Sequence, residues 1–176
     1  MISTAWYMIV FRTVHILAGV AWVGSVFLLV AFVQPSVAAI APAGAPFMVE
    51  LMGKRRLVDR IIGMGVITIV AGLFLYWHDW HLYASFGDWL GSAFGASLTI
   101  GMVAAIVALA LGITVTRPSL LRMLELGRQV AASGGPPSPE VASEIAAVQA
   151  KAKIYARASL ALLVLAVLTM AIARYL

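Results

Sequence analysis

Long apolar runs separated by short polar connections set the pattern of this chain. Four runs approach or exceed the roughly 20 residues a helix needs to cross a hydrocarbon core: Trp6 to Val33, Ile61 to Trp77, Ala93 to Thr116 and Ala158 to Ala173. The first is expected to stop at Gln34-Pro35 and the third at Arg117-Pro118, because proline lacks an N–H and its ring crowds the preceding turn. In lipid each run must satisfy its own backbone, which selects helices. The alternation that marks barrel strands is missing. The pattern predicts an all-α integral membrane four-helix bundle, a single domain over residues 1–176.

The connections carry their own signals. "QPSVAAIAPAGAP", Gln34 to Pro46, reads as a loop, and Phe47 to Arg56 as an interfacial helix leading into span two. Leu120, Leu121, Leu124 and Leu126 continue a helical apolar pattern past span three. "SGGPPSP", Ser133 to Pro139, reads as a turn with Ser138 as N-cap and Pro139 at the first helical position. Spans three and four are therefore expected to continue beyond the membrane as a helical hairpin. Ala39-Ile40-Ala41 resembles a signal-peptidase site, but the apolar run before it is too long for a signal peptide and no basic segment precedes it.

Composition agrees with a membrane protein. Of the 176 residues, 63% are hydrophobic and 11% charged, and the mean hydropathy is +1.03. The net charge of +5 is no nucleic-acid signal, because ten of the twelve Lys and Arg fall in or beside two connections: Lys54 to Arg60, and Arg117 to Arg157. By the positive-inside rule both connections are expected in the cytoplasm and both termini outside, in a multi-pass protein of a cell membrane of the bacterial inner-membrane type. The segment "HDWHLYASFGDWLGS" has no Lys or Arg and falls outside with them. Trp6, Tyr7, Tyr76, Trp77, Trp80, Tyr83, Trp89 and Tyr175 then form an outer aromatic belt. The chain has no cysteine, which excludes disulfides, iron–sulfur clusters and covalent haem attachment.

Counting back from Gln34, His15 falls just inside the outer interface with Arg12 one turn further out. His78 and His81 fall at the outer end of span two, and Met170 and Arg174 at the outer end of span four. Arg12, His15, Gly19 and Trp22 follow i, i+3, i+7, i+10, one stripe of a helix. Gly19 removes bulk beside the imidazole. A neutral imidazole suits haem iron, copper or zinc, and a thioether suits haem iron or copper(I); Met8, Met102 and Met170 all sit in the outer half. Interfacial arginines fit haem propionates. Gly95, Gly101, Ala105 and Gly112 give span three a small face for close packing or a planar guest. Plainer roles stay open: histidines as polar anchors, arginines snorkelling to headgroups, methionines as filler.

The run "RTVHILAGVAWVGSVFLLVAFVQP", with His15 followed by Trp22 and Gly24, resembles a group of small membrane proteins. The group comprises copper resistance protein D, the membrane domain of membrane-bound urate oxidases and, more distantly, J-type protoporphyrinogen oxidase. "HILAGVAWVG" with the later "FVQP" is most similar to the urate oxidase domain, and "AGLFLYW" and "MAIARYL" resemble other members. The resemblance implies a four-helix bundle whose first-span histidine, His15, ligates haem b or a metal. The lysine that the protoporphyrinogen oxidase carries on a later span has no counterpart in any span here.

Three functional readings follow. The first is a haem b-binding protein serving electron transfer or a redox partner, with His15 as ligand, His78, His81 or Met170 as second ligand, and Arg12 and Arg174 on the propionates. The second is a copper-binding or copper-transport protein using His15, His78, His81 and outer methionines. The third is an accessory subunit of a larger membrane complex. The partners these readings imply are the bilayer, a redox protein or membrane complex, and further copies of the chain. No GxSxG, HExxH, phosphate loop or pair of intramembrane carboxylates supports a hydrolase, metalloprotease, nucleotide enzyme or proton-coupled transporter.

Overall fold

A computed structural model describes residues 4–40 and 43–176, and the described residues contain helices and connections without strands. The helices are α1 (Thr4–Leu28), α2 (Gln34–Ala39), α3 (Ala45–Met48), α4 (Leu57–Trp80), α5 (Phe86–Gly91), α6 (Ala93–Leu111), α7 (Arg117–Ser133) and α8 (Pro139–Ile172). Four continuous helical stretches are long and apolar enough to cross a membrane: Ala5–Ala39, Leu57–Trp80, Ala93–Ser133 and Pro139–Tyr175. Their flanks expose large apolar side chains, among them Leu17, Val20, Val70 and Leu168, as expected of surfaces that contact lipid.

Neither Pro35 nor Pro118 ends its helix: the continuation past Gln34 corrects the expected loop there, and the continuation past Arg117 is the one expected of the hairpin. Each proline follows a single wide π turn, Leu29–Val33 before Pro35 and Gly112–Thr116 before Pro118. In these turns the N–H of Gln34 reaches the carbonyl of Leu29, and that of Arg117 the carbonyl of Gly112. The i→i+5 spacing moves the carbonyl that a proline ring would strike, so α1 runs on into α2 and α6 into α7. Ala41, the last residue of the signal-peptidase-like triplet, lies outside the described residues.

The stretch read as an interfacial helix is α3 continued by a π-helical turn, Val49–Lys54. Hydrogen bonds from Lys54 and Arg55 hold the Glu50 carboxyl below the usual carboxylate range. Arg56, with φ of 51° in the left-handed region, breaks the chain before α4, and its guanidinium pairs with Asp59 at 2.9 Å. Asp59 also accepts from Arg117 at 2.7 Å, tying the start of α4 to the start of α7. At the hairpin Gly134 ends α7 with φ of 65°, and Ser138 caps α8 by accepting from the Val141 N–H, with Pro139 in the first turn. Arg122 grips Glu144 through two bonds of 2.7 and 2.9 Å, joining α7 to α8.

Two intimate helix pairs make the bundle: α1 on α4, and α6 on α8. Small residues permit both approaches. On α6, Gly95, Ser97, Gly101, Ala104, Ala105 and Ala108 are buried, and Ser97 donates across to the Thr169 carbonyl at 2.8 Å. A Cβ on Gly101 would stand 2.6 Å from Thr169 Oγ1 and 3.0 Å from Met170 Cγ. The two pairs are pinned together by one core of Trp22, Leu29, Met52, Ile61, Ala104, Ala105, Ala108, Leu163 and Ala166. That core sits in the half of the bundle nearer the basic connections; in the other half the pairs stand apart except on the α4–α6 side, where Tyr76 bonds Thr99.

Candidate functional site

Where the pairs part, the four long helices enclose a cavity of about 900 Å³. Its floor is Trp22, Ala105, Leu163 and Ala166, all members of the core. The Trp22 indole lies flat on α4 because Gly65 has no side chain there: a Cβ would stand 2.8 Å from the ring. The walls are mainly apolar. Arg12, Asp79 and Arg174 line the end away from Trp22, the end at which α1 begins, α8 ends and α4 turns toward α6.

Arg12, His15, Gly19, Trp22, Met170 and Arg174, the six residues expected to contact a cofactor, all line this one cavity. The stripe spacing on α1 places the first four together. Met170, near the end of α8, and Arg174, in the 3-10 turn Ala173–Tyr175 that follows it, join them. Met102 of α6 is there as well. Gly19 has a second neighbour besides the cavity. Its Cα faces Thr68, where a Cβ would make ordinary contact at 3.4 Å, so it serves the α1–α4 seam as well as the cavity wall.

His15 is fixed from α4. Its Nδ1 is 2.8 Å from the Thr68 carbonyl oxygen. A carbonyl only accepts, so Nδ1 carries a proton, and in the neutral imidazole the lone pair is then on Nε2. The ring lies against Gly72, where a Cβ would stand 2.8 Å from Cε1 and 2.9 Å from Nδ1. Thr68 is itself held, its hydroxyl donating to the Met64 carbonyl at 2.8 Å. A hydrogen bond to one ring nitrogen that leaves the other free is the usual support of a ligating imidazole. Among the described residues neither Arg12 nor Arg174 has a carboxylate within ion-pair distance.

His78 and His81 do not join them; neither lines the cavity. α4 ends at Trp80, so the face that the two would share is interrupted. His78 stacks on Tyr7 at 5.9 Å between centroids and pairs with Asp79 at 3.2 Å. His81 turns back onto the Trp77 carbonyl at 2.7 Å and stacks on Trp80 at 4.4 Å. Among the described residues no three His, Asp or Glu side chains gather as a group that could hold a metal ion. The structure thus leaves His15 as the one histidine on the cavity wall.

Thr68, Gly72, Tyr76 and Asp79 of α4, and Phe94 of α6, also line the cavity and were not anticipated. Gly72, inside the apolar run "IVAGLFLYW", was the one visible signal among them. Tyr76 is anchored on both sides, hydrogen-bonded to Thr99 at 2.8 Å and accepting from the Trp89 indole at 2.7 Å. Comparison of the chain with family models, curated proteins and solved structures gives no match.

Proposed function

We propose that this integral membrane protein binds haem b and serves electron transfer or a redox partner, with His15 as the iron's protein ligand. The observation that carries the reading is the bond from His15 Nδ1–H to the Thr68 carbonyl. In the neutral imidazole that bond assigns the ligating lone pair to Nε2, on a residue of the cavity wall. The surroundings fit the group. About 900 Å³ lies within the roughly 300–1,000 Å³ of small-molecule and cofactor sites. The walls are apolar, Arg12 and Arg174 are cations suited to two propionates, and Met170 and Met102 are candidate second ligands. Haem bound there would supply one-electron chemistry, while the chain orients the ring, shields the iron and neutralises the carboxylates. The likeness of span one to the urate oxidase membrane domain points the same way. Copper(I) is the second reading, favoured by an imidazole and two thioethers on one cavity.

Protein purified from cells supplied with haem and copper tests the proposal. One extractable haem b per chain is the expected result; haem and copper both missing overturns both readings. His78→Ala and His81→Ala are expected to keep the full complement, since neither residue reaches the cavity. Arg12→Ala is expected to lower retention about tenfold, the worth of one charge-assisted hydrogen bond, with an unchanged spectrum.

The charge asymmetry supports an orientation with α7 and the start of α8 in the cytoplasm and the arginine-lined end of the cavity at the outer leaflet. Protease added to inverted membrane vesicles is expected to cut first near Gly134-Gly135, the exposed tip of the hairpin. The same protease on right-side-out vesicles should spare it. The opposite result reverses the orientation.

A further inference from the structure

Two seams close the cavity between the helix pairs, and they differ. Along the α4–α6 seam, Tyr76 bonds Thr99 across the helices and receives the indole N–H of the fully buried Trp89. Leu73 is the one exposed lining residue on that side. Along the α1–α8 seam, among the described residues, no side-chain hydrogen bond joins the helices. There Ile16, Val20, Val167 and Ala171 line the cavity and are also exposed, Val20 by 68%. One seam is bolted; the other is an apolar slot on a lipid-facing flank.

Charge is arranged along the same cavity. Arg12 and Arg174, on either side of the slot, have no carboxylate partner among the described residues. Trp22, ten residues after Arg12 and so about 15 Å deeper along the helix, closes an apolar blind end. A ligand matched to this shape has an apolar body and a carboxylate at one end. Such a molecule already resides in the bilayer. Reaching the cavity through apolar side chains spares it passage through water, whereas approach past Arg12, Asp79 and Arg174 would first expose its apolar body to water.

We propose that the cavity is filled sideways from the bilayer, through the slot between α1 and α8, by a lipid-soluble carboxylate whose head group stays with Arg12 and Arg174. The inference rests on the cavity being a ligand site and not on the ligand being haem; haem and a single-chain fatty acid share the required chemistry.

Fluorescence of the haem-free protein in phosphatidylcholine vesicles tests it, because Trp22 reports from the floor. The share of Trp22 is the difference between wild type and Trp22→Phe. Dibromostearate is expected to quench that share saturably, and brominated phosphatidylcholine at equal bromine content is not. Val20→Phe and Ala171→Phe enlarge exposed residues on the slot and are expected to slow quenching about tenfold, which corresponds to about 1.4 kcal/mol on the barrier. Arg12→Gln combined with Arg174→Gln is expected to weaken dibromostearate about tenfold or more, through the lost charge-assisted bonds. Quenching of Trp22 by aqueous iodide but not by dibromostearate overturns the lateral route, as do unchanged rates in both phenylalanine variants. An unchanged affinity in the arginine double variant overturns the head-group assignment. A purified protein free of haem whose Trp22 is still reached by dibromostearate removes the haem reading and keeps this one.

Discussion

Gly72→Ala is expected to weaken the proposed haem binding about 10–100-fold while the chain stays folded and His15 stays in the sequence. A Cβ at this position would stand 2.8 and 2.9 Å from two atoms of the imidazole, closer than unbonded carbons settle. The α4 backbone is fixed by its own helix, so the side chain must give way. When the ring moves it loses the Thr68 carbonyl at 2.8 Å, and with it the fixed tautomer and aim of Nε2. Losing such a supporting contact costs about 10–100-fold in affinity. Haem titration of the purified variant reads this directly. Gly63→Ala on the same helix is the control, because a Cβ there meets nothing within 4 Å and alanine favours a helix. Equal retention by both variants would show that the imidazole is not held as described.

Trp89→Ala is expected to cost the most stability of any single truncation considered. Trp89 is 0% exposed. Its ring meets Tyr76 at 5.3 Å, Tyr83 at 5.0 Å and Phe94 at 5.6 Å edge to face. Its indole N–H holds the Tyr76 hydroxyl. Gly95 exists in the form it does because a Cβ would collide with the Trp89 carbonyl and ring. Truncating a buried tryptophan leaves a cavity and costs roughly 3–5 kcal/mol. Trp89→Phe keeps most of the packing and loses mainly the hydrogen bond, about 1 kcal/mol. Unfolding of both variants in mixed micelles ranks them. Because Tyr76 also lines the cavity, Trp89→Ala should loosen the α4–α6 seam and admit dibromostearate from that side too. Stability equal to wild type would contradict the packing described.

The spans were legible because hydrophobic length is a demand of the bilayer, independent of tertiary contacts. Pro35 was misread for a definite reason. The rule that proline ends a helix assumes α geometry, and a π turn ending two residues earlier changes which carbonyl the ring meets. No residue pattern announced those turns. The hairpin was legible because caps are local: Ser138, Pro139 and Gly134 act within one turn of themselves.

For the cavity, the position of Arg12, His15, Gly19 and Trp22 on one wall followed from helical spacing alone, and that of Met170 and Arg174 from depth. What the site does to His15 was not legible. Thr68 and Gly72 lie more than fifty residues away on another span, and which face of α4 meets α1 depends on packing rather than on either helix by itself. His78 and His81 show the converse. Their place at the end of span two was read correctly, yet position along a helix does not say which way a side chain faces, and each meets a different aromatic neighbour.

The central claim is that His15 holds haem b in this cavity through Nε2. Reduced-minus-oxidised visible spectra of wild type and His15→Ala, purified side by side with haem supplied, test it most directly. The account predicts a b-type haem spectrum in the wild type and its loss in His15→Ala, with the variant still folded by circular dichroism. A wild-type protein without haem, or a His15→Ala variant with the full haem complement, would contradict it.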